Sequence, residues 1–335
     1  VSRVGDFPLS SKASAGFSVS LPLVGRGRGG GNLARRPAGP ARPIRSLLLA
    51  AAATLLAALP AAAESLAPFK DELFAYPAIL SAADGGAYRV VDYQEMRDIN
   101  GRDEVPERRV QGKYIALGVR SVQKDLVLDG PAGKVAHVAV GKAAGASMIT
   151  IYLHGQGGSR KQGVDDFTFG GNFNRIKNLM AENGGLYLSP DFSDFGDGGA
   201  AQIAALIDHY AGQSPKAKVF VACGSMGGGL CWKLAADKAV AARLSGLLLL
   251  GSHWDDTFLA SPAFKRKVPV FFGQGSRDKV FPVEKQEAFY RSILKKAPGY
   301  PARFVRFETG SHGTPIRMTD WRETLNWMLG TKQGG

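Results

Sequence analysis

From residue 148 onward, short continuous apolar runs alternate with helical segments, and that alternation restricts the fold more than any other feature. "MITIYLHG" (148–155), "GLYLSPD" (185–191), "KVFVACG" (218–224), "GLLLLGS" (246–252), "VPVFFGQG" (268–275) and "ARFVRFE" (302–308) read as strands. "NFNRIKNLMAENGG", stopped by Gly184, reads as an amphipathic helix between the first two. "GAAQIAALIDHYAG", "GGLCWKLAADKAVAAR", "VEKQEAFYRSILKKA" and "TDWRETLNWMLG" follow the later strands as helices. Strands that are apolar throughout, rather than at every second residue, are buried on both faces. The expected fold class is therefore α/β, a mostly parallel doubly wound sheet. Upstream, "VQKDLVLD" (122–129) and "KVAHVAVG" (134–141) flank the turn signal "GPAG" and predict a hairpin. Residues 64–100 form a preamble with a helix-like start, "FKDELFAYPAIL", and a strand, "AYRVVDY". No repeat or Pro/Gly linker interrupts the chain after residue 64, so 64–335 reads as one domain.

The head of the chain is different in kind. Residues 1–45 carry eight Lys/Arg against one acid, and they account for seven of the net +13 charges. They read as a disordered basic head or a misplaced start, the first methionine being Met96. Arg42 and Arg45 then precede an apolar stretch, Leu47 to Leu59, and the small residues Ala61, Ala62 and Ala63. Basic flank, short apolar segment and small-residue site predict a signal peptide over 46–63, cleaved near Ala63. The stretch is too short to span a bilayer, which needs about 20 residues. A periplasmic or secreted protein with no membrane contact after cleavage is the expectation. Beyond the head the charge is nearly balanced and no Lys/Arg run marks a nucleic-acid face.

In open parallel sheets, functional residues gather on loops beyond the carboxyl ends of the strands. Four such loops carry chemistry. "CGSMG" places Ser225 between small neighbours where a strand turns at once into a helix, a corner that suits a strained nucleophile. "GQGSRDKVFP" places Asp278, and "TGSHGT" places His312 between Gly310 and Gly313. "YLHGQGG" places His154, Gly155 and Gln156 where backbone N–H groups can approach a substrate oxygen. Among the remaining histidines, His137 falls inside a strand and His209 on a helix.

Ser225, Asp278 and His312 appear in the chain order of an α/β-hydrolase triad. From about residue 110 to the C-terminus the sequence resembles that superfamily at all four loops, with one departure: Cys223 stands at the first small position of the G-x-S-x-G motif. The resemblance implies a serine ester hydrolase. His312 would act as base for Ser225, Asp278 would orient His312, and the backbone N–H groups of Met226 and Gln156 would form the oxyanion hole. It implies no cofactor and no metal, and a small-molecule ester as partner to a monomer or small homo-oligomer. An acyltransferase or amidase on the same triad, or a non-catalytic binding protein on the same fold, are the alternatives. Only about 16 residues separate the strands "GLLLLGS" and "VPVFF", which leaves no room for a large lid. In that respect the chain is similar to dienelactone-hydrolase-like members and carboxylesterases.

Further candidates are weighed against plainer roles. His154, His253 and Trp254 are expected to line the substrate pocket, with core packing the other account. Asp255 or Asp256 could replace Asp278. Asp191, Asp194 and Asp197 could form a calcium loop, though turn and capping roles are commoner. Arg160 and Lys161 could favour an acidic substrate or simply face solvent. Cys223 and Cys231, placed on a strand and about two turns into a helix, are expected to be unpaired buried thiols.

Overall fold

A computed structural model describes residues 65–104 and 109–332. The basic head and the signal-peptide reading over 46–63 lie outside the described residues. In chain order the strands are β1 (Ile79–Ala83), β2 (Tyr88–Asp92), β3 (Asp103–Glu104), β4 (Arg109–Val110), β5 (Gln123–Gly130), β6 (Gly133–Gly141), β7 (Met148–Leu153) and β8 (Leu186–Pro190). They continue with β9 (Lys218–Gly224), β10 (Leu244–Leu250), β11 (Val270–Gly275) and β12 (Ala302–Glu308). The helices are α1 (Asp71–Phe74), α2 (Asn172–Glu182), α3 (Asp197–Gln213), α4 (Gly228–Ala236), α5 (Lys238–Arg243), α6 (Pro262–Lys265), α7 (Val283–Lys296), α8 (Thr314–Met318) and α9 (Trp321–Leu329).

Among the described residues ten strands form one sheet in the order β1-β2-β12-β11-β10-β9-β7-β8-β6-β5. The run from β2 to β8 is parallel, and the antiparallel pairs lie at the edges. The pattern follows from the side chains. β7, β8 and β11 are buried along their whole lengths, as strands covered on both faces must be. Two apolar clusters fill those faces, one around α3, α4 and α7 and one around α2 and α9. The predicted hairpin forms, with Gly130 opposite Gly133 and Gly133 at φ +94°. Residues 251–269, between β10 and β11, hold only a 3₁₀ turn and α6.

Three elements differ from the sequence reading. The preamble helix shrinks to the single turn α1, because Pro77 removes a donor and the following residues pair as β1 with β2. The long helix after Ser225 breaks at Asp237, whose side chain accepts from the Val240 N–H and caps α5. The expected solvent face of α2 is covered: Arg175 and Lys177 are fully buried. Lys177 Nζ lies 2.6 Å from Asp166 Oδ1 and donates to the Val164 carbonyl. Arg175 Nη2 pairs with Asp71 at 3.0 Å and Asp320 at 3.1 Å, and its guanidinium sits 4.7 Å from the Phe74 ring. Asn174 exchanges hydrogen bonds with the Ala116 backbone. The polar face of α2 is thus covered by protein, in part by the preamble, instead of water.

A second anchor ties the preamble to α8. Arg317 donates to both Asp103 oxygens, at 3.0 and 2.7 Å, and to the Asp98 carbonyl. Both side chains are buried. Asp103→Ala leaves the guanidinium uncompensated, and chemical denaturation is expected to show a loss of about 3–5 kcal/mol. An Asp103→Leu/Arg317→Met pair is expected to recover most of it.

His137, buried on β6, sits 3.0 Å from the Val135 carbonyl through Nδ1 and 2.7 Å from the Tyr210 hydroxyl through Nε2. Burial pushes its pKa below the ordinary value, so the fold favours the neutral ring. Its contribution to stability is whole above the unfolded value of about 6.5 and is lost as pH falls through the lower folded value. His253 is shifted in the same direction by burial. Unfolding measured from pH 7.5 down to 5 should show stability falling, with a smaller slope in His137→Gln.

Candidate active site

The corner after β9 is tightly packed. Ser225 adopts φ +52°, a left-handed conformation that costs a non-glycine residue on the order of 1–3 kcal/mol unless its surroundings enforce it. The surroundings do so by close approach. A Cβ on Gly227 would lie 2.6 Å from the Leu153 carbonyl oxygen, and one on Gly155 would lie 2.8 Å from the Ser225 Cβ. Both positions must be glycine for the end of β7 to pack against the corner. Behind it, the Ser252 hydroxyl donates to the Ser225 carbonyl at 2.6 Å, and the Gln286 amide donates to the Ser252 carbonyl.

Three loops far apart in sequence meet at this corner. His312 Nε2 lies 2.8 Å from Ser225 Oγ, and His312 Nδ1 lies 2.8 Å from Asp278 Oδ2. The carboxylate has no proton to give, so Nδ1 carries the hydrogen and Nε2 is left as an acceptor facing the serine hydroxyl. Asp278 is held on every side. Its Oδ1 accepts from the N–H groups of Val280 and Phe281, and its Oδ2 also accepts from Gln274 Nε2 at 2.8 Å. The His312 side chain remains about one third exposed while that of Asp278 is fully buried.

Met226 follows Ser225 in the 3₁₀ turn Ser225–Gly227, and Gln156 is exposed on the turn after Gly155. Met226 is thus the chain neighbour of the serine, and Gln156 that of Gly155, whose position packs against the Ser225 side chain. His154 is buried, its ring stacked 4.3 Å from Phe192, with Nδ1 2.8 Å from the Gly155 carbonyl. His253 reaches the site through Phe281, whose ring lies 5.7 Å from His253 and 5.6 Å from His312. Trp254 packs against the main apolar cluster.

The alternatives have other partners. Asp255 caps Thr257, and Asp194 accepts from Gly196 and Gly199 at the start of α3. Arg160 is paired with Asp125 and Asp191. Gln274, Ser252 and Gln286 were not identified from the sequence. Gln274 alone left a signal there, an amide in the apolar strand "VPVFFGQG".

The cysteines correct the expectation of unpaired thiols: Cys223 and Cys231 form a disulfide with Cα atoms 6.3 Å apart. The turn at Ser225–Gly227 is short enough that Cys231 falls in the first turn of α4, and the reversal lays that turn beside β9. The bridge therefore spans the serine corner from the strand to the helix. Closing so short a loop restricts the unfolded chain, and Cys223→Ala/Cys231→Ala should lower stability by roughly 2–3 kcal/mol in reductant-free denaturation. Reductant is expected to lower the melting temperature of the unaltered protein and leave that of the double variant in place.

No family model and no curated protein matches this chain. Solved structures do, at low identity. A thermostable esterase aligns with a TM-score of 0.51 at 14% identity, over 65% of this chain and 64% of that one. An esterase from Pyrococcus furiosus aligns at 0.48 and 18% identity, over 66% and 95%. A lidless α/β serine hydrolase from Xanthomonas campestris aligns at 0.44 and 17%, over 62% and 93%. Parallel strands joined by helices, a serine corner after β9, and acid and histidine loops after β11 and β12 complete the picture: the chain has the α/β-hydrolase fold.

Proposed function

We propose that the protein is a serine hydrolase that cleaves carboxylic esters through an acyl-enzyme on Ser225. The observation that carries this reading is the His312 ring, 2.8 Å from Ser225 Oγ on one side and 2.8 Å from Asp278 on the other. Serine is too weak an acid to attack at neutral pH unless a base takes its proton as the bond forms. His312 Nε2 takes it, and Asp278 stabilises the resulting imidazolium. The carbonyl oxygen becomes an oxyanion held by the N–H groups of Met226 and Gln156, close to the positive end of α4. His312 then returns the proton to the leaving alcohol, and water, deprotonated by the same ring, releases the acid. These steps use no cofactor.

Export fits the same reading. A signal peptide cleaved near Ala63 would deliver the mature chain, beginning near Glu64, to the periplasm or the exterior. The Cys223–Cys231 bridge supports that route, since such bonds persist in oxidising compartments.

A fluorophosphonate probe is expected to label the protein and to leave Ser225→Ala unlabelled. Hydrolysis of p-nitrophenyl esters should fall at least 10³-fold in Ser225→Ala and in His312→Ala. Undiminished labelling of Ser225→Ala would sink the mechanism. Product analysis with acceptor alcohols or amide substrates separates hydrolysis from transfer and amidase activity.

A further inference from the structure

Beside His312 the surface opens into a cleft of about 360 Å³ whose lining includes Ser311 and Gly313, the two neighbours of the histidine. That volume is at the low end for small-molecule sites, which run from roughly 300 to 1,000 Å³. The histidine loop and α8 form one wall, through Ser311, Gly313, Thr314 and Arg317, and the other wall comes from outside the strand ends that carry the triad. Tyr93 and Ile99 come from the preamble, and Phe169 comes from the loop before α2. Phe169 holds φ +48°, in a loop pinned where Asp165 accepts from the N–H groups of Phe167 and Thr168. Its ring packs edge-on against Phe173, 5.5 Å between centroids, and Cε1 stands 3.8 Å from where a Cβ on Gly313 would be. An aromatic residue on a strained backbone is thereby fixed next to the histidine loop.

The charge of the cleft is spent. Its one charged lining residue is Arg317, and that guanidinium is engaged by both Asp103 oxygens and the Asp98 carbonyl. An ionic group entering here would lose water and gain no unpaired countercharge, whereas an apolar ring would meet Tyr93, Ile99 and Phe169.

Chemistry decides which part of an ester sits there. When the tetrahedral intermediate collapses, the bond from carbon to the leaving oxygen breaks. Its electron pair stays on that oxygen, which takes the proton from His312 Nε2. The group carried by the leaving oxygen therefore emerges on the His312 side of the site, the side on which Ser311 and Gly313 border the cleft. The acyl group stays bonded to Ser225. Resting on the serine-hydrolase reading above, we propose that this cleft holds the alcohol part of the substrate and selects esters of compact, uncharged aromatic alcohols.

Benzyl acetate and ethyl acetate share an acyl group and have leaving alcohols of similar acidity, so their kcat/KM ratio reads the cleft. The ratio should favour benzyl acetate by roughly 10-fold, and 4-carboxybenzyl acetate should lose that advantage. Ile99→Trp, which fills the cleft, should lower the ratio about 10-fold while the ratio of ethyl butyrate to ethyl acetate stays where it was. Phe169→Ala, a truncation that adds no bulk, should lower the benzyl ratio in the same direction. An unchanged benzyl ratio in both variants, or a change in the butyrate ratio instead, overturns the assignment. Binding of 2-naphthol to Ser225→Ala, followed by its fluorescence and abolished by adding Ile99→Trp, tests the cleft without turnover. If naphthol binds in this way but fluorophosphonate does not label Ser225, the hydrolase reading fails and the cleft stands. If Ser225 is labelled and Ile99→Trp changes neither ratio nor binding, the cleft assignment fails alone.

Discussion

Ser225 must hold a positive φ at the point where β9 gives way to α4, and much of the surrounding structure is the means of keeping it there. Glycine at 227 and 155 lets the end of β7 approach without a clash, and the Ser252 hydroxyl fixes the Ser225 carbonyl from behind. The cost of the left-handed conformation is of order 1–3 kcal/mol, which a single hydrogen bond of about 1 kcal/mol does not offset. A packed core behind β9 and a covalent bridge across the corner do. Cys223, the departure from the small-residue pattern, is half of that bridge.

The preamble is the second structural theme. It covers part of the face of α2 that would otherwise be solvated, through Asp71 on Arg175, while Asp320 and Asp166 from other segments complete the pairing of Arg175 and Lys177 and Asp103, just past the preamble, holds Arg317. Buried ion pairs contribute little net stability because desolvation cancels most of their attraction. What they supply is position, since each of these charges meets its partner in this docking. That docking places Tyr93 and Ile99 beside the histidine loop, so a segment outside the α/β alternation shapes the site.

The legible parts of this protein were those encoded locally. Continuous apolar runs marked β7 to β12 because strands buried on both faces admit few polar residues, and glycines marked the corners. Ser225, Asp278 and His312 stood out because each follows such a run. Gln274, Ser252 and Gln286 did not, since an amide or hydroxyl gives no sign of which carbonyl or carboxylate it will meet. α2 misled for a related reason: its charged face has helical spacing, and spacing does not say whether water or another segment will cover it.

The alternation of strands and helices from β7 onward, the parallel sheet and the three residues of the candidate site were therefore legible in the sequence, through patterns a few residues long. The tertiary structure alone decided the Cys223–Cys231 bond, the burial of Arg175 and Lys177, and the cleft beside His312. Each of these depends on how sharply the chain turns or on which distant segment comes to rest against it, and the free energy of those contacts appears only when the whole core closes.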